Sequence, residues 1–333
     1  MRVALIFERK SDFPFTDADP KDVNSELLSE FEEDELLSGL RDAGHDVITI
    51  GDGERLLKRV MHWRSRCDLA LNRSAGYRGL GRKSHVPSVL ELAGIPYVGS
   101  GPYVSSLTRH KFHAKLIVAA ADIATPAAVA WAGVRDTPKL ASLPYPVIVK
   151  PIAESCSIGI HSEHSVVSTA SDAAARAAWI VETFEQPALV EQFIRGTEVE
   201  VPLLGWPDLR ATGVVGITLG GETVRGDMLL SSDRVYADDY GWTVSLPGVD
   251  CAAVCDLAVR AARALDIRDY GRVDFRVTDK GQAYFIEASV QPHIASHSSF
   301  FASARARGVS YPDLLDELIA VTWARTAKQR ATR

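Results

Sequence analysis

The residues best suited to chemistry lie in one predicted β-hairpin near the end of the chain. Gly271–Ser299 alternates apolar and polar residues on either side of a short turn-forming segment, which is the pattern of two half-buried strands. A two-residue turn at its centre would place Asp274 opposite Glu287 and Arg272 opposite Ser289. Side chains two residues apart on a strand share a face, so the hairpin predicts one face that carries all four groups.

Two carboxylates directly opposite each other repel unless a cation or a proton lies between them. Magnesium prefers one or two carboxylates together with phosphate oxygens. The pair Asp274 and Glu287 therefore suggests a magnesium–phosphate site, with Arg272 available to neutralise further negative charge. An ordinary amphipathic hairpin with its acids in solvent is the alternative, and the rest of the chain must decide between them.

The composition is that of a globular protein with more than one core. The chain has 333 residues, of which 46% are hydrophobic and 24% charged. A net charge of −6 argues against a nucleic-acid-binding protein, which usually has a basic face. The first apolar run ends at Glu8, too early for a secretory signal, and no window approaches the roughly 18 apolar residues of a membrane span. We therefore expect a cytoplasmic protein with neither nucleic-acid nor membrane partners.

The opening order of strand, helix and strand predicts a parallel α/β sheet. A glycine- and arginine-rich loop, Asn72–Lys83, could bind an anion through its backbone N–H groups or could be mobile, and its three arginines favour the first interpretation. The predicted strands are Met1–Phe7, Val47–Ile50, Cys67–Asn72, Ile95–Gly99, Leu143–Lys150, Ala188–Ile194, Thr197–Leu204, Val214–Leu219 and Glu222–Met228, besides the hairpin. The predicted helices are Asn24–Ala43, Val86–Ala93, Ser105–Ala121, Ser171–Glu185, Cys251–Leu265 and Tyr311–Trp323, with Leu229–Val244 a surface loop and Lys328–Arg333 a frayed tail.

Short motifs recur along this series in a specific order. They are Leu90–Gly101, a helix with Lys111, Pro146–Pro151, Leu189–Ile194, and the hairpin runs Gly271–Asp274 and Glu287–Ser289. No single motif is decisive, but their order and spacing resemble the D-alanine–D-alanine ligases of the ATP-grasp superfamily. The resemblance covers the chain from about the second strand to the closing helix.

The resemblance implies an α/β ATP-grasp fold of three lobes, at residues 1–104, 105–196 and 197–333. The first lobe would hold the parallel sheet, and antiparallel sheets of the central and C-terminal lobes would clasp ATP. The family also implies Mg²⁺, with Mn²⁺ as a possible substitute, and a homodimer.

The resemblance assigns roles to particular residues. ATP would be bound by Lys111, Lys150, Glu191, Gln192, Phe193, Ile194 and Glu198, and the metal by Asp274, Glu287 and Ser289. Arg272 and Ser157, the latter in a flexible loop Ser155–Gly159 over the phosphates, would be catalytic. Ser298, His293 and Tyr236 would bind substrate, and Leu229–Val244 would be a second lid.

The implied reaction is ATP-dependent ligation of a carboxylate to an amine, joining two amino acids or amino-acid-like molecules. Phosphoryl transfer would give an acyl phosphate, which the amine attacks to yield an amide, ADP and phosphate. A ligase that closes an intramolecular amide is one alternative. A nucleotide-binding homologue with impaired catalysis is another.

Several departures from the family pattern predict a divergent member rather than the housekeeping cell-wall enzyme. Ser289 replaces the usual asparagine, which weakens the prospect of a second magnesium, and His293 stands where the family has glycine. Cys156 occupies the phosphate loop, and no third nitrogen or sulfur ligand is evident that could complete a metal site with His293 and His297. The acid that orients the first substrate stays open among Glu8, Glu26, Glu32 and Glu35.

Overall fold

A three-stranded parallel sheet forms the N-terminal part of the protein, whose computed structural model describes residues 1–331, with side chains as far as Lys328. Strand β1 (Arg2–Ile6) lies between β2 (Asp46–Gly51) and β3 (Leu69–Asn72). Residues 3–6 are fully buried, as expected for a parallel strand covered on both faces. The accompanying helices are α1 (Glu30–Asp42), α2 (Gly53–Trp63) and α3 (Arg82–Ala93).

Local capping explains where these elements differ from the sequence prediction. Helix α1 begins at Glu30 rather than Asn24 because Ser29 and Glu32 form a reciprocal capping box. Helix α2 was missed, although Asp52 caps its first turn. The predicted strand Ile95–Gly99 is reduced to a single bridge, which pairs Tyr97 with Ala70.

The central part contains a four-stranded antiparallel sheet in the order β4-β7-β5-β6. The predicted helix Ser105–Ala121 is two helices, because His110 leaves the helical conformation between them. Strand β4 and the short helix α6 were not predicted. In chain order the elements are α4 (Pro102–Arg109), α5 (Lys111–Ala120), β4 (Ala128–Trp131), α6 (Thr137–Leu140), β5 (Val147–Pro151), β6 (Val166–Val167), α7 (Ala170–Phe184) and β7 (Ala188–Gln192).

The C-terminal part is built on a larger antiparallel sheet. Its main path is β11-β10-β8-β13-β14, with β9 beside β8 and β12 beside β10. The elements are β8 (Thr197–Gly205), β9 (Arg210–Ala211), β10 (Val215–Leu219), β11 (Glu222–Thr223), α8 (Ser232–Tyr236), β12 (Gly241–Thr243), α9 (Cys251–Ala264), β13 (Asp269–Val277), β14 (Ala283–Ser289), α10 (Ser299–Ala306) and α11 (Tyr311–Ala331).

Three predictions for this part are wrong. The predicted strand Glu222–Met228 is only the two-residue strand β11. Leu229–Val244 is not a plain loop, since it contains α8 and β12. Helix α11 continues to Ala331, so the residues from Lys328 to Ala331 are helical rather than frayed, and residues 332–333 lie outside the described part.

The hairpin β13–β14 has the predicted pairing at the site and a different turn. Asp274 pairs with Glu287 and Arg272 with Ser289. The predicted two-residue turn is wrong, because Val277 pairs with Ala283 and five residues, 278–282, connect the strands. A bulge next to Asp274 shifts the register by one residue and restores the predicted pairing.

The C-terminal helix returns to the first sheet. Leu314 and Leu318 of α11 share a buried cluster with Val3 of β1 and Leu36 of α1. One parallel and two antiparallel sheets are the α/β architecture that the sequence predicted, while the exact lobe boundaries at residues 104 and 196 stay predictions. Among the described residues, no helix is both long and apolar enough to cross a lipid bilayer.

Candidate active site

Three carboxylates meet on adjacent strands of the C-terminal sheet. Asp274 on β13 has Glu287 of β14 on one side and Glu200 of β8 on the other. Arg272 contacts two of them: its Nε and Nη2 each donate to Asp274 at 2.8 Å, and its Nη1 lies 3.1 Å from Glu200 Oε2. The hairpin acids therefore face a shared buried site rather than solvent.

The site carries more negative charge than Arg272 alone compensates. Burial raises the pKa of Asp274 to about 6; Arg272 opposes this shift, and the carboxylate of Glu287 adds to it. Burial likewise raises the pKa of Glu200 to about 8, against the attraction of Arg272. Closely spaced carboxylates that resist ionisation are a donor set that fits a hard divalent cation. The Ser289 hydroxyl lies at the same face and accepts a long 3.4 Å hydrogen bond from Gln291 N.

Both predicted phosphate-binding lysines, Lys111 and Lys150, lie near these carboxylates. A third lysine that was not predicted, Lys115, lies close to them. Lys111, the first residue of α5, donates to the carbonyl of Glu154 and lies 3.4 Å from Glu287. Lys150 at the end of β5 lies 2.7 Å from Glu191, whose other oxygen lies 2.6 Å from Lys115. Burial opposes ionisation of Glu191, but the two lysines outweigh it and lower its pKa.

A cavity between the central and C-terminal sheets is lined by all seven predicted ATP-binding residues. Asp274 and Glu287 line the same cavity. Arg276, which was not predicted, lies 3.7 Å from Glu198 and 4.6 Å over the Phe193 ring. The predicted residues that line the cavity are Lys111, Lys150, Ser157, Glu191, Gln192, Phe193, Ile194, Glu198, Asp274 and Glu287.

A second, more polar cavity opens on the other side of the carboxylates. Asp274, Glu287, Ser157 and Lys111 border both cavities, so the two share a wall. The predicted residues Arg272, Ser289 and His293 line the second cavity only. Two clefts therefore lie side by side, with Asp274 and Glu287 at their junction and Arg272 on the side of the second.

A buried charge network forms the floor of the second cavity. Glu26 and Glu154 both contact Arg82 and Arg109, at 2.6 to 3.3 Å, and Lys83 lies 2.8 Å from Glu26. Arg82 is thus neutralised within the protein and is not free to bind an anion. The other two arginines of the glycine-rich loop are also engaged: Arg73 donates to Pro292 O and Arg78 pairs with Asp19.

Two predicted substrate residues are not brought to the cavity. Tyr236 ends the short helix α8 with 56% of its surface exposed. Ser298 is buried and uses its hydroxyl to cap α10 by accepting from Phe301 N. Tyr240, four residues after Tyr236, and Ser299, directly after Ser298, line the cavity instead.

The two predicted lids contact each other and the substrate cavity. Ser232 N donates to Ile160 O at 2.8 Å, which joins α8 to the loop after Ser155–Gly159. The indole N–H of Trp242 on β12 donates to His297 O at 2.6 Å. These bonds hold both segments over the junction of the cavities.

Three functional candidates that the sequence did not predict lie at regular spacings from residues that it did predict. Lys115 lies one helical turn after Lys111, and Glu200 and Arg276 lie two residues after Glu198 and Asp274 on their strands. The spacing of Lys115 to Lys111 could have indicated a shared helix face. Of the N-terminal acids that could orient the first substrate, Glu26 and Glu32 line the second cavity. Glu8 instead accepts hydrogen bonds from Ser74 and Ala75.

Comparison with known proteins agrees with this geometry. A family model described as "D-ala D-ala ligase C-terminus" matches residues 133–320. A D-alanine–D-alanine ligase from Bordetella petrii is 33% identical over 285 residues, covering 84% of this chain and 83% of that protein. The chain belongs to the D-alanine–D-alanine ligase family.

The relatives also indicate divergence within this family. An uncharacterized protein y4sG from Sinorhizobium fredii is 29% identical over 307 residues, covering 88% of this chain and 87% of that one. The crystal structure of a Bacillus anthracis D-alanine–D-alanine ligase complexed with ATP superposes with a TM-score of 0.73 at 22% identity, covering 99% of both chains. The protein is therefore an ATP-grasp ligase, and its family forms amide bonds at the expense of ATP.

Proposed function

We propose that this protein joins two amino acids or amino-acid-like molecules through an acyl-phosphate intermediate, releasing ADP and phosphate. One observation carries the proposal: the cavity lined by the predicted ATP-binding residues and the polar cavity share a wall that includes Asp274, Glu287, Ser157 and Lys111. A carboxylate in the polar cavity would thus meet the terminal phosphate of ATP at the point where cations and acids are concentrated.

The chain's own residues account for the phosphoryl transfer step. Lys111 and Lys150 are buried cations that neutralise phosphate charge, and Arg272 offers a guanidinium to oxygens of the reacting carboxylate. Asp274 and Glu287, with the hydroxyl of Ser289, would hold Mg²⁺, which supplies electrostatic stabilisation of the phosphates when bound. A cation held by Asp274 would compete with Arg272 for this carboxylate and would free the guanidinium for the substrate.

The second step requires the attacking amine and the exclusion of water. The acyl phosphate would form in the polar cavity, which Arg272 and Ser157 both line, and the second substrate would approach from the side of His293. Ser155–Gly159 and α8 are held together over this point by the Ser232–Ile160 hydrogen bond. A closed site protects the activated acyl group from hydrolysis.

The polar cavity favours a substrate pair other than two molecules of D-alanine. Its wall includes Arg73 Nε and His293 Nε2, two buried nitrogen atoms that have no hydrogen-bond partner among the described residues. A methyl side chain offers no partner to such groups, and leaving buried polar groups unpaired costs binding energy. We therefore propose that at least one substrate has a polar or charged side chain.

The test is ADP release measured against a panel of D- and L-amino acids and their polar analogues, singly and in pairs. A requirement for two substrates, with a product mass equal to their sum minus water, supports the proposal. Turnover with a single substrate would instead indicate intramolecular amide formation. No turnover with any member, while ATP still binds, would contradict the proposal in favour of a nucleotide-binding role.

A further inference from the structure

A carboxylate and two histidines converge beside the substrate cavity. Glu32 comes from the first turn of α1, and His293 and His297 lie in the segment that follows β14. Glu32 Oε1 is 2.6 Å from His293 Nε2 and 3.7 Å from His297 Nε2. Among the described residues, this is the cluster whose three donor atoms all lie within 4.8 Å of one another. The third ligand that the sequence did not reveal is thus an oxygen from the other end of the chain.

The contacts around the cluster orient its donor atoms. The second carboxylate oxygen of Glu32 accepts hydrogen bonds from Ser29 N at 2.6 Å and Ser29 Oγ at 2.7 Å, which leaves Oε1 directed at the histidines. His297 is anchored through its carbonyl by Trp242. Supporting bonds of this kind fix a ligating carboxylate in the orientation that a metal requires.

The approach of His293 to Glu32 is not a well-formed hydrogen bond. His293 Nε2 is buried and has no acceptor in hydrogen-bond geometry, although Glu32 Oε1 is only 2.6 Å away. A buried ring nitrogen aimed at an oxygen without bonding to it marks an incomplete set of interactions.

We propose that Glu32, His293 and His297 bind one divalent transition-metal ion such as Zn²⁺, at a site separate from the Asp274–Glu287 acids. Nitrogen and oxygen ligands of this composition suit zinc and its neighbours, whereas magnesium prefers oxygen alone. With bonds of about 2.0–2.1 Å, tetrahedral ligand atoms lie about 3.3 Å apart, so Glu32 and His293 would separate by about 0.7 Å on binding. Coordination would relieve the close contact in the same movement.

The protonation and position of Glu32 and His293 suit coordination. Burial lowers the pKa of His293, which favours the neutral imidazole that coordinates metal. Burial opposes ionisation of Glu32, but its contacts with His293 and Ser29 outweigh this and lower its pKa, so it is a carboxylate at neutral pH. Glu32 and His293 line the substrate cavity, so a remaining coordination position would face the substrate.

The test is titration of the full-length, tag-free, metal-stripped protein with Co²⁺, followed by its visible absorption, and then displacement with Zn²⁺. Saturating Mg²⁺ and a non-hydrolysable ATP analogue occupy the magnesium site throughout. We expect one equivalent of Co²⁺ to bind with a spectrum of nitrogen coordination. Substitutions H293Q, H297Q and E32Q should each weaken Co²⁺ binding by more than about 10-fold. Loss of a hydrogen-bond partner of a metal ligand can already produce an effect of that size, and these residues are the ligands themselves.

Two controls separate this site from its neighbours. H113Q alters a histidine of the stacked pair His110–His113 elsewhere in the fold and should leave Co²⁺ affinity unchanged. D274N should also leave it unchanged, while abolishing turnover. The proposal is overturned if the wild-type protein binds no Co²⁺, if H297Q binds it as tightly while folded by circular dichroism, or if D274N removes it.

Discussion

Replacing Asp274 by asparagine should make the protein more stable while it abolishes turnover. The carboxylate is buried next to Glu287 and Glu200, and it shares Arg272 with Glu200. Asparagine keeps the shape of the side chain and removes its charge. Functional sites often hold groups whose charge is unfavourable in the fold but needed for chemistry.

The magnitude follows from the shift of its pKa. Burial raises the pKa of Asp274 from 3.8 to about 6 in the folded protein. At pH values above both, the difference corresponds to about 3 kcal/mol by which the ionised group destabilises the fold. Below pH 4 the group is protonated in both folded and unfolded states, and the penalty vanishes. The advantage of D274N should therefore be small near pH 4, grow as pH rises to about 6, and stay constant at higher pH.

The measurement is thermal unfolding of wild-type and D274N protein without ligands between pH 4 and 8, with ADP release measured alongside. A matched control on the same strand is D269N. Asp269 is buried with Arg325 at 2.7 Å and accepts from Thr322 at 3.0 Å, so its neutralisation breaks a satisfied ion pair. That control should lose about 3–5 kcal/mol of stability.

The result that refutes this reasoning is a D274N protein that is less stable than wild type at pH 8, or a stability difference that does not change with pH. Retained ligase activity in the same variant would remove Asp274 from the proposed metal site. Loss of activity with unchanged ATP binding would instead agree with a role in the reaction.

Three further outcomes are expected. Glu191→Gln should destabilise the fold by about 3–5 kcal/mol in denaturant unfolding, because it leaves Lys115 and Lys150 buried without their counterion; a smaller loss than for the exposed-pair variant Glu54→Gln would contradict this. Glu200→Gln should lessen the fall in melting temperature as pH rises from about 4.5 through 8, since the pKa of Glu200 is raised to about 8; an unchanged pH profile would argue against a buried charged Glu200. Arg276→Met should raise the KM for ATP about tenfold with a smaller effect on kcat, because Arg276 holds the carbonyls of Gly196, Gly226 and Met228 around the nucleotide cleft; an unchanged KM would exclude that positioning role.

Local sequence patterns predicted the parts of the fold that depend on local chemistry. Residue alternation in the hairpin identified Asp274 and Glu287 as partners, and the order of short motifs identified the ATP-grasp fold. The turn prediction was wrong because the alternation of residues along a strand does not reveal a bulge. The bulge beside Asp274 shifts the register by one residue and so compensates for the longer connection between the strands. The correct pairing was therefore reached from an incorrect turn.

The remaining parts of the site depend on contacts between distant segments. Glu32 meets His293 across 261 positions of the chain, and no spacing within either segment indicates the other. Glu200 was missed because its importance comes from lying beside Asp274 on a neighbouring strand. Tyr236 and Ser298 lie in the right segments, but Tyr240 and Ser299 line the cavity, and the local sequence does not show which residue near a helix end faces it.

The central claim is that a carboxylate is activated by phosphoryl transfer before an amine attacks it. The most direct measurement uses the carboxylate substrate identified in the panel, labelled in its carboxyl group with heavy oxygen, and mass spectrometry of the released phosphate. An acyl-phosphate pathway transfers one carboxylate oxygen to phosphate, so labelled phosphate should appear in proportion to the amide formed. Unlabelled phosphate at full turnover would contradict the account.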